Sequence, residues 1–130
     1  MDSNIKILLF VESRYKLDRK KISQKVCNLL KKQEVLGPVE VSVAIIGDRK
    51  MKNLNKKYRQ KEGTTNVLSF PLSEGETTVM PKDILRLGDV VISYPMAIKE
   101  AAEEDMMVDD KICELVEHGL LHLLGIHHEE

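Results

Sequence analysis

Residues 38–59 read Pro-Val-Glu-Val-Ser-Val-Ala-Ile-Ile-Gly-Asp-Arg-Lys-Met-Lys-Asn-Leu-Asn-Lys-Lys-Tyr-Arg, and the period of the apolar positions changes once within them. Val39, Val41, Val43 and Ile45 alternate with Glu40, Ser42 and Ala44, the two-residue period of a strand with one buried face. From Asp48 the spacing lengthens. Met51, Leu54 and Tyr58 recur on one side of a helix, Lys52, Lys56 and Arg59 lie off it, and Asp48 is the expected N-cap. A strand running straight into an amphipathic helix predicts layers, with helices packed on a sheet.

The same pattern extends in both directions. Residues 5–11 read as a buried strand, and Asp18 can cap a helix carrying Ile22, Val26, Leu29 and Leu30, with Gly37-Pro38 as its stop. Downstream, Gly63-Thr64-Thr65 breaks the second helix. Val67-Leu68-Ser69-Phe70 is a short strand closed by Pro71, which suits a sheet edge or a ligand-facing end. Residues 72–85 read as a polar loop, and Gly88–Ser93 as the next strand. Pro95 fits the first turn of a helix running to about Glu104, and Asp109 is the expected cap of a last helix ended by Gly125. No repeat or linker divides residues 1–130, so one α/β or α+β domain with a small mixed sheet is expected.

Composition bounds the partners. In 130 residues, 42% hydrophobic and 32% charged is a globular balance, whereas 4% aromatic without Trp argues against broad platforms for stacking nucleobases. Cys27 and Cys113 make no disulfide framework, and the apolar run Ile7–Val11 is too short for a membrane span or a signal segment. A cytoplasmic protein with no membrane partner is expected. The net charge of -1 is a cancellation: residues 1–65 hold 16 Lys+Arg against 7 Asp+Glu, and residues 66–130 hold 4 against 14.

All four histidines fall in the last thirteen residues. Ile112, Leu115, Val116, Gly119, Leu120 and Leu123 form the core-facing stripe of the final helix, with Gly119 permitting close approach of another element. Glu114, His118 and His122 form a neighbouring row. His118 and His122 stand about one turn apart, ~6 Å along the axis, so both imidazoles can converge on one ion. His-x3-His-x5-His, with Gly125 three residues after the second, is the spacing that lets metzincins close three ligands on zinc. It selects His128 over His127 as the third ligand. An isolated pair would be ordinary half-buried helix residues; the third histidine and the glycine turn the reading toward a metal.

Three neutral imidazoles leave a fourth position for water, whose pKa such a site lowers from about 15.7 to about 7, roughly 12 kcal/mol of hydroxide stabilisation. The residue after the first ligand is Gly119, where zinc proteases of the H-E-x-x-H type carry their general base. A peptidase is therefore disfavoured, and Glu114, Glu117 and Asp89 stand as unranked candidates for a base.

His118-Gly-x-Leu-His122-Leu-x-Gly125-x-x-His128 resembles the signature of the YbeY family, endoribonucleases of ribosomal RNA maturation. Two upstream blocks agree: Leu54-Asn55-x-x-Tyr58-Arg59 followed by Thr65-Asn66-Val67-Leu68-Ser69-Phe70-Pro71, and Leu87-Gly88-Asp89-Val90-Val91-Ile92-Ser93. The resemblance implies an α+β fold with a four-stranded mixed sheet, and one zinc, or another divalent transition metal, on His118, His122 and His128. It also implies hydrolysis of single-stranded RNA at the ribosome, with His118 and Arg59 in the catalytic groove, where a guanidinium can bind phosphate bidentately. The basic helices around residues 19–32 and 49–61 would track the RNA backbone.

Against the family pattern, Asn66 stands where an aspartate is usual, Ile126-His127 replaces Tyr-Asp, and the chain ends two residues after His128. These departures motivate a second reading, a ribosome-assembly or ribosome-binding factor whose metal is structural. A third is a zinc hydrolase of another phosphoester or amide.

Overall fold

The computed structural model describes residues 4–12, 14–35, 38–72 and 84–126. Strand β1 spans Ile5–Val11 with alternate side chains exposed, so it is buried on one face rather than two. Helix α1, Arg19–Lys32, opens as expected on the Asp18 carboxylate, which accepts the Lys21 N–H at 3.1 Å. It stops earlier than Gly37-Pro38. Glu34 turns to a φ of 60°, and the amides of Gln33 and Val35 close back on Leu29 and Leu30, so local hydrogen bonding ends the helix first.

Strand β2, Val39–Ile46, and helix α2, Asp48–Arg59, follow the change of period, but Gly47 occupies the N-cap. Asp48 is turned to another task. Its carboxylate accepts Ser93 Oγ at 2.8 Å and Thr64 Oγ1 at 3.0 Å, fastening the start of α2 to the end of a distant strand. A carboxylate in the first turn still favours the helix dipole.

Strand β3 is Val67–Pro71, and β4, Leu85–Ser93, begins three residues before the predicted Gly88. Helix α3, Tyr94–Glu103, has Ser93 as its cap, accepting the Met96 N–H at 3.2 Å, and Pro95 in its first turn. Helix α4 is Val108–Leu123 with Met107 at the N-cap. Asp109 lies inside its first turn, where the carboxylate accepts the Asp18 N–H at 3.4 Å and links the starts of α1 and α4.

The sheet order is β1-β2-β4-β3, with β1, β2 and β4 parallel and β3 antiparallel at the edge. Gly88 makes that edge possible. Its φ is 134°, and a Cβ there would lie 2.2 Å from the Phe70 carbonyl oxygen, so a side chain would push β3 off β4.

One face of the sheet, through Val39, Val41, Val43, Ile45, Val90 and Ile92, packs against α1 and α4 in the main core. Each such side chain contributes roughly 1.5–3 kcal/mol of burial. The opposite face carries α2 over a smaller cluster of Ile46, Met51, Leu68 and Val91. The two basic helices thus lie on opposite faces of the sheet and do not form the single backbone track that their composition suggested.

Candidate metal centre and its surroundings

Helix α4 buries Ile112, Leu115, Val116, Gly119, Leu120 and Leu123 as their spacing predicts. Gly119 is the closest approach: a Cβ there would stand 2.6 Å from Val90 Cγ1 and 3.3 Å from Val67 Cγ2. The position that carries the base in H-E-x-x-H enzymes therefore points into β3 and β4, with no room for even a methyl group. A packing constraint, and not only a different chemistry, separates this helix from a protease helix.

The neighbouring row emerges at the side of that contact. His118 and His122 are both half-buried, and their ring centroids are 5.1 Å apart at an interplanar angle of 43°. Two imidazoles bound tetrahedrally at about 2.0–2.1 Å from one ion hold their ring centres about 5 Å apart. The pair has the separation that two ligands require. His127 and His128 lie outside the described residues, and among the described residues no group of three candidate ligands converges.

Each of the three carboxylates considered as a base has a partner. Glu114 accepts Lys111 Nζ at 2.6 Å, Glu117 pairs with Lys25 at 2.9 Å, and Asp89 accepts Ser42 Oγ at 2.6 Å. Asp89 stands opposite Phe70 on the face that carries α2, so the sheet separates it from the histidine row. That placement removes it from the candidates.

Lys111 has no counterpart in the sequence reading. Its side chain is 7% exposed and reaches Glu104 at 3.0 Å, Glu114 at 2.6 Å and Glu100 at 3.7 Å. Burial works to lower its pKa, but the hydrogen bonds it donates to Glu114 and Glu104 outweigh that and hold the ammonium above its ordinary value. The only local signal was the i, i+3 spacing to Glu114, which any solvated helix can show. Glu100 also accepts Asn66 Nδ2 at 3.1 and 3.2 Å. An aspartate at 66 would set two carboxylates against each other there, so the neutral amide fits its surroundings.

Arg59, the last residue of α2, is exposed on the opposite side of the sheet from α4. Its neighbour Tyr58 meets Phe70 edge-on with ring centroids 5.2 Å apart, while Gly119 meets Val67. The arginine helix and the histidine helix both reach the edge strand β3, from its two faces. Cys113 is buried with Sγ 3.9 Å from the Lys21 carbonyl, and burial raises its thiol pKa, as befits a core residue.

The sheet order, the helix layers and the histidine row define a small α+β domain with a candidate metal centre at the sheet edge. The chain belongs to the YbeY family: the pattern described as endoribonuclease YbeY matches residues 10–130. The endoribonuclease YbeY of Magnetococcus marinus is 41% identical over 99 residues, 72% of this chain and 67% of that protein. That of Syntrophus aciditrophicus is 36% identical over 118 residues, covering 91% and 72%. The solution structure of a Thermotoga maritima protein aligns over 95% of this chain and 75% of its own, with a TM-score of 0.61 and 28% identity. Among the described residues no helix is long and apolar enough to cross a membrane.

Proposed function

We propose that the chain is a metal-dependent endoribonuclease that cuts single-stranded segments of ribosomal RNA during ribosome maturation in the cytoplasm. The observation that carries the reading is the His118–His122 pair, spaced for one ion on a helix of a chain that belongs to an endoribonuclease family. His118, His122 and His128 would hold zinc or another divalent transition metal. When bound, such an ion supplies Lewis acidity and a water of lowered pKa.

The protein's own groups supply the rest. Arg59, at the end of α2 beside the edge strand β3, would reach round that edge from the other face to take the phosphate oxygens bidentately and offset charge developing on the phosphoryl group. Gly119 seats the helix close to the sheet, which fixes where the two imidazoles stand. Glu114, one turn before His118, is the carboxylate on the ligand row, and it accepts Lys111 Nζ at 2.6 Å.

The test is cleavage of single-stranded ribosomal RNA fragments by zinc-loaded protein beside His118→Ala and Arg59→Ala. Loss of cleavage in both is expected, and equal cleavage by wild type and His118→Ala would sink the reading. One observation favours the ribosome-assembly alternative: Glu114, Glu117 and Asp89 are all engaged by other residues. That alternative predicts salt-sensitive ribosome binding that survives His118→Ala, with no turnover.

A further inference from the structure

The chain has five aromatic side chains, and the fold gathers three of them, Phe10, Tyr58 and Phe70, on the face of the sheet that carries α2. Phe10 is the partner of Ala44 across β1 and β2, and it faces away from the main core. Phe10 and Tyr58 are each 54% exposed. Each already has a cation against it: Lys50 Nζ lies 5.7 Å from the Phe10 centroid and Lys57 Nζ 5.2 Å from that of Tyr58.

Lys50, Leu54 and Tyr58 follow one another at i, i+4 and i+8, a row about 12 Å long on one side of α2. At about 3.4 Å per stacked nucleotide, that length corresponds to roughly three to four nucleotides. Beside it, Leu8, Ser42, Asp89 and Phe70 are cross-strand neighbours that run over all four strands.

We propose that this face binds single-stranded RNA by stacking unpaired bases on Tyr58 and Phe10, with the cations of α2 on the phosphates. The inference deepens the endoribonuclease reading and rests on it. Charge decides the occupant. Helix α2 carries Arg49, Lys50, Lys52, Lys56, Lys57 and Arg59 against one acid, Asp48, which Ser93 and Thr64 already engage, while Glu12, just after β1, meets Lys50 at 3.8 Å. On α1, by contrast, Lys21 and Lys25 are paired with Asp110 and Glu117 of α4. Asp89 and Glu40 on the strands repel phosphate, so the bases meet the sheet and the aromatic rings while the backbone follows the helix. The track ends at Tyr58 and Arg59, beside the edge strand that α4 packs against from the other face. A base already paired in a duplex cannot stack on a side chain, so such a face selects single strands.

Fluorescence anisotropy of a labelled, unstructured oligoribonucleotide on the full chain, beside a duplex of the same sequence, tests the proposal. Tyr58→Ser should weaken single-strand binding about tenfold, leave duplex binding and the salt slope unchanged, and be rescued by Tyr58→Phe. Lys50→Gln should instead lower the slope of log K against log salt by about 0.7, one phosphate contact. Because Tyr58 packs on Phe70, Phe10→Ser, at an exposed site on β1, provides an independent variant.

Single-strand binding unchanged in both serine variants would overturn the proposal, as would equal weakening of duplex binding or a face that takes up a protein partner in preference to RNA. Cleavage is measured in parallel. Variants that behave as expected in a protein that never cleaves would remove the nuclease reading and leave the binding face standing. Intact cleavage with unaffected binding would remove only the face.

Discussion

Gly119 is the residue on which fold and chemistry meet. It follows the first candidate ligand, and its missing side chain lets α4 rest on Val90 and Val67. Gly119→Ala inserts a methyl 2.6 Å from Val90 Cγ1, a distance that demands movement of a packed valine. Overpacking of this kind costs about 1–3 kcal/mol. The expected outcome is a urea midpoint lowered accordingly, together with weaker zinc binding as α4 lifts from the sheet; an unchanged midpoint would show that the valine yields freely. The same residue was legible in the sequence, where its place in the apolar stripe forecast a close contact. Lys111 was not, because a lysine in a helix is ordinarily solvated and only the arrival of α3 buries it.

At the scale of elements, Lys111 is what joins α3 to α4. Glu100 and Glu104 come from one helix and Glu114 from the other, and Asn66 extends the chain of contacts to the start of β3. Removing a buried ion-pair partner can cost about 3–5 kcal/mol, but Glu104 and Glu114 are half-exposed and can rehydrate, so Lys111→Met should cost about 1–2 kcal/mol. The pH dependence has a definite sign. The folded pKa is raised, so the stabilisation is complete below the unfolded value of about 10.4 and is lost as pH rises through the higher folded value. Denaturant midpoints of wild type and Lys111→Met should therefore differ by a constant amount from neutral to about pH 10 and converge above it. Divergence on the alkaline side would contradict the network. Helix limits followed a similar logic: the Asp18 cap is local and was readable, whereas Asp48 and Asp109 bond to residues far along the chain and left their expected caps to Gly47 and Met107.

For the whole molecule, the cancellation of charge becomes an arrangement in space. Basic α1 lies against acidic α4 and is partly neutralised by it, while basic α2, with Lys50 paired to Glu12 at 3.8 Å, lies on the other face of the sheet. Retained metal would act on the whole fold, since a ligand bound only by the native state at one hundred times its Kd stabilises by about 2.7 kcal/mol. With His118 and His122 as ligands, zinc should raise Tm by roughly 10 °C in a domain of this size. His122→Ala should abolish the rise; a rise that persists would place the ion elsewhere.

Periodicity determined the alternation of strands and helices and the core stripe of α4, and Pro71 narrowed β3 to a sheet edge or a ligand-facing end, because those features depend on neighbours a few residues away. The histidine spacing determined the candidate ligands for the same reason, one helical turn placing His118 beside His122. Only the tertiary structure decided which helix lies on which face, that Asp89 is cut off from the histidines by the sheet, and that three scattered aromatics share a surface. Those outcomes rest on strand order and on which face each crossover takes, and both are set by packing between segments far apart in the chain.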